Sequence, residues 1–105
     1  MKAKGRDAAR MASLHQIENA LNLYFNNHNR FPIEQSLVVI TGTDSFSLAL
    51  KDDLVIPEVR PDPIYPSSYY TYISNTSGTD YTITFCLETD TVSLYAKGCS
   101  NTISP

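Results

Sequence analysis

One segment near the start of the chain, residues 6–27, constrains the fold more than any other. Its apolar residues recur at steps of three and four, which is the period of one face of an α-helix. The residues of this core stripe are Met11, Leu14, Ile17, Leu21, Tyr24 and Phe25. Such a stripe has to be covered by another layer of structure. Because short β-like runs and turn signals follow, the sequence predicts an α+β fold with a long N-terminal amphipathic helix packed on a small antiparallel sheet of three to four strands.

The length of 105 residues predicts a single domain over residues 1–105. A chain of this size buries about 65% of the surface that it exposes when unfolded, so its core is modest. We expect a helix over residues 6–28, a connector with a short helix over residues 29–68, and a sheet with a C-terminal loop over residues 69–105. A hydrophobic content of 42% with 18% charged residues is typical of a globular domain.

The sides of the long helix carry two further signals. Arg10 and Glu18 flank the core stripe, and we expect both side chains to reach water from its edges. Small or apolar residues lie on the far side of the helix, namely Ala8, Ala9, Ala12 and Leu23. One interpretation is that alanine serves here only as a good helix former. The other is a contact face for further helices, because small side chains permit close approach.

The connector begins after the asparagine-rich helix end and contains mixed signals. Residues 36–40 form a short apolar run that is either a strand or a buried loop segment. Asp44 or Ser45 is suited to cap a short helix that ends near Asp53. Prolines at positions 57, 61, 63 and 66 then exclude both helix and central strand. We therefore predict that this proline-rich part crosses the surface as an extended connection.

Three strands are predicted to follow, over residues 69–74, 81–87 and 92–96. The second alternates apolar and polar residues, as a half-buried strand does. Short connections between the three runs indicate antiparallel neighbours. We predict that the polar tail, residues 98–105, lacks regular structure and is held to the second strand only at Cys99.

Cys86 and Cys99 are the two cysteines of the chain. Neither a CxxC spacing nor a metal-binding partner accompanies them. The pair favours a disulfide, which implies an oxidising compartment. Two free buried thiols are the alternative.

The net charge of −3 is distributed unevenly, with about +3 in residues 1–30 and about −6 in residues 31–105. A basic helix start on an acidic body suits nucleic acid or an anionic membrane surface. The basic residues are few and lack interleaved aromatic residues, so no nucleic-acid partner is expected.

The sequence contains no recognisable catalytic pattern. It has no glycine-rich phosphate loop, no HExxH or GxSxG, and no cysteine beside a general base. His15 and His28 lie thirteen residues apart without acidic or cysteine partners in step, so no metal site is expected. We predict that the chain is not an enzyme and has no cofactor.

The order of parts resembles the type IV pilin and type II secretion pseudopilin superfamily. The helix ends in YFNNHNRFP, residues 24–32, which is similar to the YYNDNGRYP-like helix end of that family. Further similarities lie in the connector, the paired strands and the C-terminal cysteine pair, at Ile56, Pro57, Asp62, Pro63, Tyr70, Tyr72, Ile73, Tyr81, Thr82, Ile83, Leu87, Glu88, Cys86 and Cys99. Major pseudopilins also have an acidic calcium loop, but the acids around Glu88 and Asp90 are sparse and are interpreted as solvated turn residues, with a calcium site as the alternative that stays open.

The resemblance implies a structural subunit of a homo-oligomeric extracellular or periplasmic filament. Because no cap residue precedes the helix, we expect it to continue before Met1 into the family's apolar half-helix. That half would anchor the precursor in the inner membrane, meet the assembly machinery and undergo N-terminal processing and methylation. Ala8, Ala9, Ala12 and Leu23 would then contact neighbouring subunits.

Two other functions stay open. The first is a minor pilin or adhesin that binds a ligand on the cell surface through residues 75–80 and 100–105. In that case Tyr65, Tyr69 and Tyr70 would stack on a sugar or on bases. The second is a free-standing domain with no filament role.

Overall fold

A computed structural model describes residues 2–105, and Met1 lies outside the described part together with the expected continuation of the helix before it. The elements in chain order are α1 (Ala3–His28), β1 (Val38–Val39), α2 (Ser45–Asp52), β2 (Thr71–Ser74), β3 (Tyr81–Leu87) and β4 (Gly98–Ile103). The four strands form one antiparallel sheet in the order β1-β2-β3-β4. The predicted α+β class, with a long helix and a small antiparallel sheet, is confirmed. No helix in residues 2–105 is both long and apolar enough to span a membrane.

The core lies between α1 and the inner face of the sheet. Leu14, Ile17 and Leu21 of the core stripe are fully buried, and its other residues, Met11, Tyr24 and Phe25, are partly buried and pack against the core. Alternate residues of β3 face the helix from the other side, and these are Tyr81, Ile83, Phe85 and Leu87. The apolar residues that recur every 3.6 positions in the helix and every second position in the strand therefore pack together in one apolar layer.

Both helices end or begin with the local chemistry that their sequences favour. Asn29 ends α1 in the left-handed conformation, with φ of 57°, and its N–H donates to the carbonyl of Phe25 at 2.7 Å. Asp44 caps α2 by accepting the backbone N–H of Ser47 at 3.1 Å.

The third predicted strand is wrong. Residues 92–96 form a turn, in which the Tyr95 N–H donates to the Val92 carbonyl at 3.3 Å and both side chains pack against the core. The ring of Tyr95 stands edge-on to Phe85, with 5.1 Å between centroids. Val92 and Tyr95 thus close the end of the core instead of alternating along a strand.

The tail that was predicted to be irregular contains the last strand, β4, paired with β3. Ile103 lies opposite Ile83, and Asn101 lies opposite Phe85. The buried Asn101 side chain bonds to both backbone groups of Ala96, at 3.1 Å to its nitrogen and 2.7 Å to its oxygen. An edge strand leaves polar residues on its open side, so the polar composition of this segment is compatible with pairing.

The first two strands are shorter than their sequence runs. Within residues 36–40 only Val38 and Val39 pair, opposite Tyr72 and Thr71. The strand predicted to start at position 69 begins at Thr71.

Candidate functional site

The first candidate site is built around Arg10, whose side chain is completely buried. The expectation that it reaches water is wrong. Arg10 precedes Leu14 by four residues and Ile17 by seven, so it lies on the core stripe itself and the helix directs it inward. This spacing is the sequence signal that identifies the position as a buried one.

The guanidinium of Arg10 binds three carboxylates. It holds Asp62 by two parallel bonds, from Nε to Oδ2 at 2.9 Å and from Nη2 to Oδ1 at 3.1 Å. Its Nη1 donates to Asp7 Oδ1 at 2.6 Å and to Glu88 Oε2 at 2.8 Å. Paired bonds of this kind fix orientation as well as distance. Arg10 therefore joins α1 to the proline-rich connector and to the segment after β3.

Asp7, on the preceding turn of α1, reinforces the same junction. It accepts the backbone N–H groups of Glu88 and Thr89 at 3.0 and 2.9 Å, and the hydroxyl of Thr89 at 2.6 Å. Burial alone would raise the pKa of Asp7. The hydrogen bonds from Thr89, Glu88 and Arg10 outweigh it and lower the pKa below its usual value.

Asp62 is the partner that sequence reasoning missed, because prolines flank it and the segment was predicted to cross the surface. The side chain of Asp62 is fully buried. Besides Arg10, it accepts the N–H of Ile64 at 3.0 Å and the hydroxyl of Ser68 at 2.9 Å. The connector is thus held into the core at this point, although most of its neighbours are exposed.

Glu88 closes the cluster on its outer side. Arg6 binds it through Nε and Nη2, each at 2.6 Å, and these bonds are the leading cause that lowers the pKa of Glu88 to about 2, with Arg10 adding to the effect. The interpretation of Glu88 as a solvated turn acid is therefore wrong. Burial opposes a charge on Arg10, but its bonds to Asp62, Glu88 and Asp7 raise the pKa of the guanidinium further above its ordinary value.

We call these five residues, Arg6, Asp7, Arg10, Asp62 and Glu88, the arginine cluster. Each of its two guanidinium groups and three carboxylates has a direct ion-pair partner within the cluster, so the cluster holds structural elements together and presents no free reactive group. No group of three or more His, Cys, Asp or Glu side chains in residues 2–105 is arranged to hold a metal ion. His28 instead bonds through Nε2 to Asp53 at 2.7 Å, at the far end of α1.

The second candidate site is the exposed face of α1. The predicted contact residues Ala8, Ala12 and Leu23 are exposed, with Leu23 at 50%, and Ala9 is half-exposed. The exposed residues of α1 after Lys4 are all without a carboxylate, ammonium or guanidinium group: Gly5, Ala8, Ala12, His15, Gln16, Asn19, Asn22, Leu23, Asn26, Asn27 and His28. The aspartate, glutamate and arginine residues in this part of the helix are buried or half-buried, and they are Arg6, Asp7, Arg10 and Glu18.

The third candidate site is a cavity of about 460 Å³ on the outer side of the sheet. It is lined by Leu37, Ser67, Ser68, Tyr69, Thr71, Thr84, Phe85, Cys86 and Cys99. Cys86 and Cys99 form a disulfide that joins β3 to β4, so the alternative of two free thiols is wrong.

The structure separates the three tyrosines that were predicted to stack on a ligand. Tyr65 and Tyr69 are exposed, but Tyr70 is fully buried and cannot stack on one. The predicted binding loop over residues 100–105 is also wrong in part, because β4 extends to Ile103.

No protein-family model, curated protein or solved structure matches this chain. The features of this chain that bear on its function are therefore the arginine cluster, the exposed face of α1 and the cavity.

Proposed function

We propose that this chain is the head of a structural subunit of a type IV pilus or type II secretion filament, with no catalytic role. The observation that carries the proposal is the exposed face of α1, which has no carboxylate, ammonium or guanidinium group from Gly5 onward. A helix that faces only water normally presents charged residues on its outer side.

The physical argument concerns desolvation. Between Gly5 and Asn27 the face extends along about six helical turns, or roughly 33 Å. A neighbouring helix that covered it would remove Leu23 and the alanines from water without burying an unpaired charge. The small side chains at Ala8 and Ala12 would allow the two backbones to approach closely.

The arginine cluster supports the same function by fixing α1 on the sheet. Subunits that stack through a helix face need that face in one orientation relative to the rest of the head. Arg10 and Asp7 provide this by fastening the first turns of α1 to Asp62 and to the segment after β3.

The remaining expectations of the resemblance complete the proposal. In the precursor, an apolar half-helix ahead of this region would anchor the subunit in the inner membrane and engage the assembly machinery. The head would lie in the periplasm or outside the cell, where the Cys86–Cys99 disulfide is stable.

The test compares two exposed leucines on two helices. Leu23→Glu places a charge on the α1 face, and Leu48→Glu is the matched control because Leu48 lies on α2 and is 42% exposed. We expect both isolated heads to keep their melting temperature within about 2 °C, since both sites are open to water. In cells that assemble the filament, Leu23→Glu should abolish the filaments that can be sheared from the cell surface, and Leu48→Glu should leave their amount unchanged. Normal assembly with Leu23→Glu would contradict the proposal.

The cavity beside Tyr69 favours a second candidate, a ligand-binding head. Its lining combines an exposed aromatic ring with the hydroxyls of Ser67, Thr71 and Thr84, which suits a neutral sugar. A glycan array tests this, with Tyr69→Ala against Tyr65→Ala, which is outside the cavity lining. Binding that is lost only with Tyr69→Ala supports the candidate, and a blank array rejects it.

A further inference from the structure

The connection between β3 and β4, residues 88–97, lies at the end of the molecule where α1 begins. At one end of β3, Tyr81 packs against Phe31, just beyond the last turn of α1. At the other end, the backbone of Glu88 and Thr89 bonds to Asp7, near the start of α1. β3 therefore runs opposite to α1, and the connection that follows it shares the helix's N-terminal end. We call this end the basal end.

Leu94 is the most exposed large apolar residue of the described chain, at 99%. It lies within the turn closed by the Tyr95 N–H on the Val92 carbonyl, and its φ is 74°. Turns with a positive φ at this position ordinarily use glycine or asparagine. The turn thus holds a leucine in an unfavourable backbone conformation and entirely in water.

Leu54 is a second exposed leucine with a positive φ, and its backbone conformation can be compared with that of Leu94. It also has a positive φ, 59°, and is 90% exposed. Its conformation has a local cause, since the N–H of Leu54 bonds to Lys51 and that of Val55 to Leu50, which is the hydrogen-bond pattern that ends a helix. Leu94 ends no helix: its positive φ belongs to the turn closed by Tyr95 on Val92, and nothing in that turn covers its side chain, which stays in water.

Three exposed lysines lie at the basal end. Lys2 and Lys4 lie at the start of α1, and Lys97 follows Leu94 by three residues. None of the three lysines forms an ion pair within residues 2–105. Of the acids at this end, Glu88 is paired with Arg6 and Arg10, whereas the exposed Asp90 carboxylate accepts the neutral backbone N–H of Lys97 at 2.7 Å.

We propose that the basal end docks on an anionic membrane surface, with Leu94 inserted among the acyl chains and the lysines beside the lipid phosphates. An exposed apolar residue next to unpaired lysines is the combination that lies at the boundary between headgroups and acyl chains. A nucleic acid would satisfy the lysines but offers an aliphatic side chain no apolar phase to enter. The contact uses only this chain, so it holds whether or not the chain assembles into a filament.

The first test uses the absence of tryptophan from the sequence. Leu94→Trp and Leu54→Trp each place one fluorescent reporter at an exposed position with positive φ, at opposite ends of α1, since Asp53 next to Leu54 bonds to His28. With phosphatidylglycerol vesicles at low salt, emission from position 94 should shift to the blue and be quenched by brominated acyl chains. Position 54 and phosphatidylcholine vesicles should give no shift. About 0.5 M sodium chloride should reverse the effect.

The second test exchanges lysines and works even if the Leu94→Trp variant fails to fold. Lys4→Gln with Lys97→Gln should weaken co-sedimentation with phosphatidylglycerol vesicles by roughly twenty-five-fold, or about fivefold for each lysine. The control, Lys51→Gln with Arg60→Gln, changes two basic residues outside the basal end and should alter it by less than about twofold.

Three results would overturn the proposal. The first is an unchanged emission at position 94 on phosphatidylglycerol, and the second is an equal shift at positions 94 and 54. The third is lysine-dependent binding to duplex DNA without any response to vesicles, which would assign the basal end to nucleic acid.

Discussion

Removal of the Arg10 guanidinium is the most direct test of the structural argument. Arg10→Met keeps an apolar stem of similar length but removes the guanidinium, which leaves the carboxylates of Asp62 and Asp7, 0% and 1% exposed, without their buried cation. Breaking a buried ion pair on one side costs about 3–5 kcal/mol, because the charge that stays behind is neither solvated nor paired. Domains of this size unfold with roughly 5–15 kcal/mol, so we expect a large loss of stability.

The assay is urea unfolding at pH 7, followed by far-ultraviolet circular dichroism. Arg30→Met, at an exposed position, is the control and should stay within about 0.5 kcal/mol of the parent. Adding Asp62→Asn to Arg10→Met should restore at least about 1 kcal/mol, because it removes one of the unpaired charges. A free energy of unfolding for Arg10→Met that equals the parent's, or no recovery in the double variant, would refute the reasoning.

Three further predictions concern acid, the disulfide and the cap of α2. Folding lowers the pKa of Glu88 to about 2 and also lowers the pKa of Asp7, so the stabilisation that these carboxylates provide is complete above about pH 5 and is lost as the pH falls towards 2. Urea unfolding at stepwise lower pH should show this decline in the free energy of unfolding. Glu88→Gln should make the decline smaller. Replacing Cys86 and Cys99 by serine should lower the free energy of unfolding by about 3 kcal/mol, and reductant should then have no further effect on the variant. Asp44→Ala should lower it by about 1 kcal/mol through loss of the cap, measured in the same urea titration, and an unchanged midpoint would argue against the cap.

The sequence predicts the parts of this fold that rest on period and on local chemistry. The helical core stripe from Met11 to Phe25 can be recognised from the spacing of its apolar residues alone. Asp44 caps a helix through a contact three residues away. The alternation of β3 likewise follows from one face being buried. All of these features are fixed by residues close together in the chain.

The parts that were missed depend on distant partners. Arg10 was assigned to water because an arginine is costly to bury alone, and the partner that makes its burial favourable, Asp62, lies 52 residues away. The last strand was misplaced because Val92 and Tyr95 look like strand residues while those of β4 are polar. Only the pairing with β3 and the turn bonds of Asn101 reverse that preference.

The position of the arginine cluster has a mechanical consequence. Tension that enters through the first turns of α1 reaches the segment after β3 directly, because Asp7 is bonded to Thr89, 82 residues further along the chain. The pull is divided among several short bonds acting side by side. Through Asp7 the pull passes to the segment after β3, and through Arg10 it passes to Asp62, so the chain between His28 and Asp62 is shielded from stretching.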